Sequence, residues 1–540
     1  MKKISGNIFD FENSKFVKGH LFFDESILNI VEDDSVSDSC FILPGLIDSH
    51  VHVESSMLSP VEYSKAALKH GVIAAVTDPH EIANVCGVDG VKFMIENSKK
   101  TPMKIFTGVP SCVPATKFET SGFELGLSEV EQLLSDPDCS HLSEMMNFPG
   151  VIFDEPLVVS KLELATRFNK RIDGHAPALS GDALKKYINA GISTDHESVS
   201  FEEAKEKILL GMKILIRESS ASSDFDFLSE LIDIYPDSVM FCTDDCHPDD
   251  LERRYIDDLF RKSIQRGYSP LNIIKTSSIN AIDHYSLTVG KLQIDDPSDF
   301  IVVDNLQDFN VLKTFIEGEE VYDGLNTSLK ECVVFPINNF YSNEISLSDI
   351  QVLKTHDCLN VIEVVENSLL TKRLIVQSSS SSDFWEQNTF DDILKVVVLN
   401  RYSQAKPIVG FIKGFGLKSG AISSSFAHDS HNIIAIGVDD LSILKSIEAI
   451  QKLEGGLAVV NDSFVEVLPL PIAGLMSDKT CSEVASIYKN LNSLVKNMGC
   501  SLKSPFMTMS FMSLLVIPEL KIGDKGLFDV TKFNFIDLQF

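Results

Sequence analysis

From residue 43 to about residue 286 the chain repeats one unit: a short apolar run, a polar loop, then a segment whose apolar positions recur at helical spacing. Apolar runs of strand length fall at 43–47, 72–77, 104–108, 141–145, 171–174, 191–194, 213–217 and 239–243. Helical patterns lie between most of them, for example at 128–134, 182–190 and 201–210. The first helix is the best marked, with Ser59 placed to cap it, Pro60 suited to its first position and Gly71 ending it. Eight strands alternating with helices predict an α/β fold, a (β/α)8 barrel over 43–286, with a doubly wound open sheet as the alternative.

The texture differs on both sides of this region. Residues 1–42 alternate apolar and polar over short stretches, notably 19–23 and 26–31, which predicts strands too few to stand alone. Residues 290–294 and 299–304 read as strands around a turn at Pro297, and 314–322 as a hairpin partner. The economical arrangement joins 1–42 with 287–330 in a small β-sandwich domain flanking the barrel from both of its chain ends. An Asn- and Ser-rich stretch at 338–348 marks a linker, and 335–540 is long enough for a C-terminal mixed α/β domain with its own core.

Composition narrows the class only a little. Apolar residues make up 44% and charged residues 23% of the 540 residues, ordinary for a soluble globular chain. A formal charge of −31 disfavours nucleic acid and anionic membranes as partners. The N-terminus lacks the apolar core of a signal peptide, and the most apolar tail stretch, 506–518, is too short to span a bilayer. Ten cysteines without a C-x-x-C pair read as reduced thiols in the cytoplasm. The serine run at 378–382 reads as a loop.

The chemistry lies where the apolar runs end. In a barrel, functional side chains sit at the C-terminal ends of the strands. Reading those ends gives His50 and His52, then Asp78, His80 and Glu81, then Glu144, His175, His196, and finally Asp244 and Asp245. His50 and His52 share one side of a strand because side chains alternate with period two. Four imidazoles with a glutamate and an aspartate suit two borderline divalent cations such as Zn, Fe(II), Mn or Co. Two such ions bring a bridging water towards neutral pKa, and a neighbouring carboxylate can relay its proton, so the ligands point to metal-assisted hydrolysis. They name no substrate.

Two other motifs are set aside. Nucleobase deaminases of the H-x-E type need a P-C-x-x-C partner; His52-Val53-Glu54 supplies the first half, but Cys242 and Cys246 have the wrong spacing for the second. The glycines of 414–420 lack the phosphate-loop spacing and read as a hairpin turn.

The H-x-H strand end, Gly174-His175, Asp195-His196 and Thr243-Asp244 resemble the amidohydrolase superfamily of metal-dependent (β/α)8 hydrolases. More narrowly, the chain resembles the adenine deaminase family in Thr77-Asp78-Pro79-His80-Glu81-Ile82-Ala83-Asn84-Val85, Val109-Pro110-Ser111-Cys112-Val113-Pro114-Ala115-Thr116 and Glu144-Met145-Met146-Asn147-Phe148-Pro149-Gly150-Val151. Ala427-His428-Asp429-Ser430-His431-Asn432-Ile433-Ile434 and the Leu468–Asp478 stretch Leu-Pro-Leu-Pro-Ile-Ala-Gly-Leu-Met-Ser-Asp extend the resemblance, which runs from about residue 40 to 480.

That resemblance implies hydrolysis of adenine to hypoxanthine and ammonia in purine salvage, with two divalent ions per subunit, Mn(II) or Fe(II) favoured and Zn possible. It implies that His50 and His52 bind one ion, Glu144 bridges, and His175 and His196 bind the second. Asp244 would ligate and act as general base, with Asp245 its rival and a substrate contact, and Glu155 a rival for Glu144. His80 and Glu81 would handle substrate or protons, Ser111 and Cys112 would line the base pocket, and His428 and His431, with Asp429, would form an accessory metal site or a lid over the barrel mouth. The resemblance also implies a homodimer. Another amidohydrolase acting on a cyclic amide or amidine, or a scaffold relative without catalysis, are the alternatives.

Overall fold

A computed structural model describes residues 1–220, 222–330, 332–365, 368–378 and 382–540, so 379–381 of the serine run lie outside the described residues. The chain forms two compact units. The first comprises Met1–Pro79, Lys92–Ser111 and Gly126–Val334; the second comprises His80–Val91, Cys112–Leu125 and Phe335–Phe540.

In the first unit, the N-terminal strands are β1 (Lys2–Asp10), β2 (Lys15–Phe23), β3 (Ile27–Glu32) and β4 (Phe41–Pro44). Along β2, Val17, Gly19, Leu21 and Phe23 are buried while the residues between them are partly exposed, the alternation of a sheet packed on one face. Gly45 then leads into the barrel strands β5 (Leu46–Val51), β6 (Val72–Thr77), β7 (Lys104–Val109) and β8 (Cys139–Met145). These are followed by β9 (Arg171–Gly174), β10 (Thr194–Asp195), β11 (Lys213–Arg217) and β12 (Val239–Cys242). The chain returns to the first sheet through β13 (Phe300–Val303), β14 (Val311–Ile316) and β15 (Glu319–Tyr322).

The flanking sheet has seven strands in the order β15-β14-β13-β4-β1-β2-β3, so the strands from before and after the barrel join in one sheet where β13 pairs with β4. Phe23 of β2 meets Phe300 and Phe315 edge-on at 5.0 and 5.5 Å, tying the two chain segments together. The hairpin between β14 and β15 turns at Glu317 and Gly318, both at positive φ, as a two-residue connection of twisted strands demands. Residues 290–294 do not form the strand their pattern predicts, because Leu292 and Asp295 adopt left-handed φ values of 65° and 71° that break an extended run.

The barrel consists of parallel strands β5 to β9 in one ladder and β10 to β12 in a second. Parallel bridges Ile172↔Ile192 and Val51↔Asp244 join the ladders and close the ring. Every residue of β5, β6 and β12 is buried, which is why these segments read as unbroken apolar runs. The first helix runs Pro60–Lys69 from an extended Ser59, but the Ser59 hydroxyl makes no capping bond. Pro60, whose fixed φ suits the first turn, starts the helix instead.

The second unit is built on an eight-stranded mixed sheet from Cys358–Val364 to Val465–Pro469. Helix Asp440–Leu453 lays Ile443, Ile447 and Ile450 on Val397, Leu399, Ala435 and Ala458 of that sheet. The loop at 414–420 is not a hairpin: the strands it joins, Ile408–Lys413 and Ala421–Ser424, have two other strands between them. Its amides at Gly414 and Gly416 both donate to the carboxylate of Asp392 at 2.8 Å, so an internal anion occupies the place a phosphate would take. No helix among the described residues is long and apolar enough to cross a membrane, and the ten cysteines are free.

Candidate metal centre

The C-terminal ends of five barrel strands bring His50, His52, Glu144, His175, His196 and Asp244 together. His52 Nε2 lies 3.1 Å from Asp244 Oδ1 and 3.4 Å from Glu144 Oε1. His196 Nε2 and His175 Nδ1 lie 3.2 and 2.8 Å from the other oxygen of Glu144. His50 Nε2 is 3.5 Å from Asp244 Oδ1 and 3.9 Å from Glu144 Oε1. Glu144 therefore stands between two pairs of imidazoles, one oxygen turned to each. Its rival Glu155 lies elsewhere, exposed before helix Pro156–Arg167 and accepting from Asn147 Nδ2 at 3.1 Å.

Backbone contacts fix this arrangement. The amide of His52 donates to the Asp244 carbonyl at 2.9 Å, and the Asp244 amide donates to the His50 carbonyl at 3.0 Å. These two bonds pin Asp244 in the left-handed region, φ 61°, a conformation that costs a non-glycine residue on the order of 1 kcal/mol or more. His52 Nδ1 donates to the Asp78 carbonyl at 2.9 Å, which fixes the tautomer and leaves Nε2 facing the carboxylates. The Ser111 hydroxyl donates to the Glu144 carbonyl at 2.5 Å, and the Tyr187 hydroxyl donates to the Met145 carbonyl while accepting from the His175 amide.

The electrostatics are those of a ligand cage. Burial pushes the Glu144 and Asp244 carboxyls up, but the imidazoles around them, and Arg217 beside Asp244, hold both well below the usual carboxylate range. Burial depresses the His196 imidazole, yet its contact with Glu144 outweighs that and carries it to about 9. His50 is the exception: burial, reinforced by His196, lowers it to about 4. Its Nε2 is buried and has no hydrogen-bond partner.

A neutral imidazole with an orphaned nitrogen aimed at two carboxylates fits a cation. The spacing fits as well, since donors about 2.0–2.2 Å from a common ion lie roughly 3–3.5 Å apart. Candidate three-ligand groups are His50, His196 and Asp244, and Glu144, His175 and His196.

The structure separates the two adjacent aspartates. Asp244 faces the histidines, whereas Asp245 Oδ1 accepts from the Ser55 hydroxyl at 2.5 Å and its carbonyl from the Ser219 hydroxyl at 2.9 Å. His80, Glu81 and Cys112 belong to the second unit, as do His428 and His431. There Glu81 accepts from both His428 and His431, at 2.7 and 2.5 Å. Sequence reading missed Arg217, whose Nη1 donates to Asp244 Oδ2 at 3.0 Å while its other nitrogens hold Glu197 and Asp224. Its signal was a charged residue closing an apolar strand at the functional end of the barrel.

A parallel barrel with imidazoles and carboxylates gathered at its strand ends defines a metal-dependent hydrolase. Residues 41–321 match the amidohydrolase family and residues 368–534 the adenine deaminase C-terminal domain. The chain is 48% identical to a protein named adenine deaminase from Methanosarcina mazei, covering 100% of this chain and 99% of that one. It is 49% identical to another of that name from a Sulfurovum species, covering 95% and 94%. Among solved structures it is similar to a β-aspartyl dipeptidase from Fervidobacterium islandicum, at 16% identity and a TM-score of 0.46, over 61% of this chain and 100% of that one. The chain belongs to the amidohydrolase family, in its adenine deaminase branch.

Proposed function

We propose that this chain is an adenine deaminase, hydrolysing adenine to hypoxanthine and ammonia in cytoplasmic purine salvage. The observation that carries the reading is the six-residue cage at the barrel strand ends, in a chain that aligns from end to end with relatives named for that activity. His50 and His52 would hold one divalent ion and His175 and His196 a second, with Glu144 between them and Asp244 completing the set. Mn(II) or Fe(II) is favoured and Zn is compatible, because the donors are imidazole and carboxylate without thiolate. Such ions, when bound, supply Lewis acidity that brings the pKa of water towards neutrality.

The chain's own residues do the rest. Asp244 Oδ1, on the side of His50 and His52, takes the proton of the attacking water, while Arg217 holds Oδ2 and keeps the carboxylate from turning. As the C6–O bond forms, that proton passes to the purine ring nitrogen, and the second proton of the water then passes through Asp244 to the exocyclic amine. The C6–N bond breaks, and ammonia leaves. Glu144 keeps its orientation through the Ser111 hydroxyl on its carbonyl. The assembly would be a homodimer, by analogy with large subunits of this class.

Purified protein loaded with Mn(II) and incubated with adenine should release ammonia and hypoxanthine in equal amounts. Turnover of a cyclic amide without release of ammonia from adenine would sink the substrate. Protein that takes up no divalent metal would sink the mechanism.

A further inference from the structure

The second unit contains a separate group of buried ligating side chains that the reaction above does not use. Glu81, in the first turn of helix His80–Ser98, is 1% exposed. Its two oxygens lie 2.7 Å from His428 Nδ1 and 2.5 Å from His431 Nε2. Those are hydrogen-bond lengths, so His428 and His431 donate to the carboxylate and orient it.

The remaining spacings are longer and of a different kind. His80 Nε2 lies 3.5 Å from Glu81 Oε1, and one donor atom each of His80, Glu81 and Asp429 falls within 4.8 Å of the others. Donors around one small divalent ion stand at such separations. All three residues are buried.

A fourth carboxylate-bearing side chain points the same way. Glu119 is 3% exposed and lies beside Asp429. The site thus gathers the carboxylates of Glu81 and Asp429 with the imidazole of His80, while His428 and His431 are committed to Glu81. Burying a carboxylate without compensation costs several kcal/mol, and a divalent cation supplies that compensation.

We propose that His80, Glu81 and Asp429 form a further divalent-cation site in the second unit, with His428 and His431 fixing Glu81 and Glu119 supplying an additional carboxylate. Nitrogen and oxygen donors without thiolate suit Mn(II), Fe(II), Co(II) or Zn(II). The proposal rests on residues that the reaction above does not use, so its failure leaves the deaminase reading intact.

The test is metal stoichiometry of the full chain, loaded with Mn(II), desalted and measured by elemental analysis, with thermal melts recorded in parallel. The wild type should hold one ion per chain more than Asp429→Asn, and His80→Gln should lose the same ion. Glu119→Gln, isosteric and still able to fold, should weaken retention of that ion by about tenfold. Equal metal content in the wild type and Asp429→Asn would overturn the proposal. So would loss of every ion in Asp429→Asn with a cooperative melt retained, because the residue would then be serving the barrel cage.

Discussion

Arg217 and Asp244 share one hydrogen bond of 3.0 Å that settles which oxygen of the aspartate faces the histidines. Nη1 takes Oδ2, and Oδ1 is left 3.1 Å from His52 Nε2. The same guanidinium compensates half-buried Glu197 and buried Asp224, so three carboxylates depend on it. Arg217→Met should therefore lower the thermal midpoint as well as turnover, with a stability loss of about 3–5 kcal/mol by denaturant titration. Arg217→Lys, which keeps the charge and loses the fork, should recover stability better than kcat. Equal recovery of both would argue against a positioning role.

Asp244 itself is the residue on which turnover turns. Asp244→Asn keeps the size of the side chain and its backbone clamp, and removes the proton acceptor. Its kcat for ammonia release should fall by roughly 10²–10⁴-fold with an unchanged circular dichroism spectrum. Near-normal activity would remove Asp244 from the role given to it here.

Metal removal should be read in two ways. Dialysis against a chelator should abolish ammonia release, and Mn(II) should restore it. The metal-free protein should also melt at a lower temperature, because ions that bind only the folded state stabilise it by mass action. His50→Ala, which deletes the orphaned buried nitrogen, should reduce that metal-dependent rise in melting temperature. An undiminished rise would mean His50 does not ligate.

Lys521 offers a pH test. It is buried, its ammonium donates to the Leu369 and Phe511 carbonyls at 2.9 Å, and desolvation lowers it to about 7 from an ordinary 10.5. Between those values the unfolded chain binds a proton that the folded chain does not, so stability rises as pH increases through this window. The penalty is fully present below about pH 7 and gone above about 10.5. Melts of the wild type and Lys521→Met from pH 7 to 10 should show the difference between them moving in favour of the wild type by a few kcal/mol. A constant difference would show that Lys521 keeps an ordinary proton affinity.

The barrel and the residues gathered at its strand ends were legible because parallel strands buried on both faces print as unbroken apolar runs. Their ends carry the side chains that face the mouth, so His50, His52, Glu144, His175, His196 and Asp244 could be picked by position. Strand limits at 171–174 and 213–217 coincide with β9 and β11.

What stayed hidden depends on partners far apart in the chain. Glu81 sits beside the second barrel strand in sequence, and its bond to His431 spans 350 positions. Arg217 reads as an ordinary strand terminus until Asp244, Glu197 and Asp224 are seen around it. Residues 414–420 show the glycines of a turn, but nothing local reveals that Asp392 has claimed their amides. The left-handed residues at 292 and 295 carry side chains that give no warning of positive φ.

The bridge between Val51 and Asp244 closes the ring by joining its first and last strands. That seam also sets a timetable. A growing chain displays His50, His52, Glu144, His175 and His196 to the cell's metal pool well before Asp244 has been synthesised. The donor set proposed for the ions is therefore complete only once the eighth strand has closed on the first and Asp244 has made its bonds to His50 and His52.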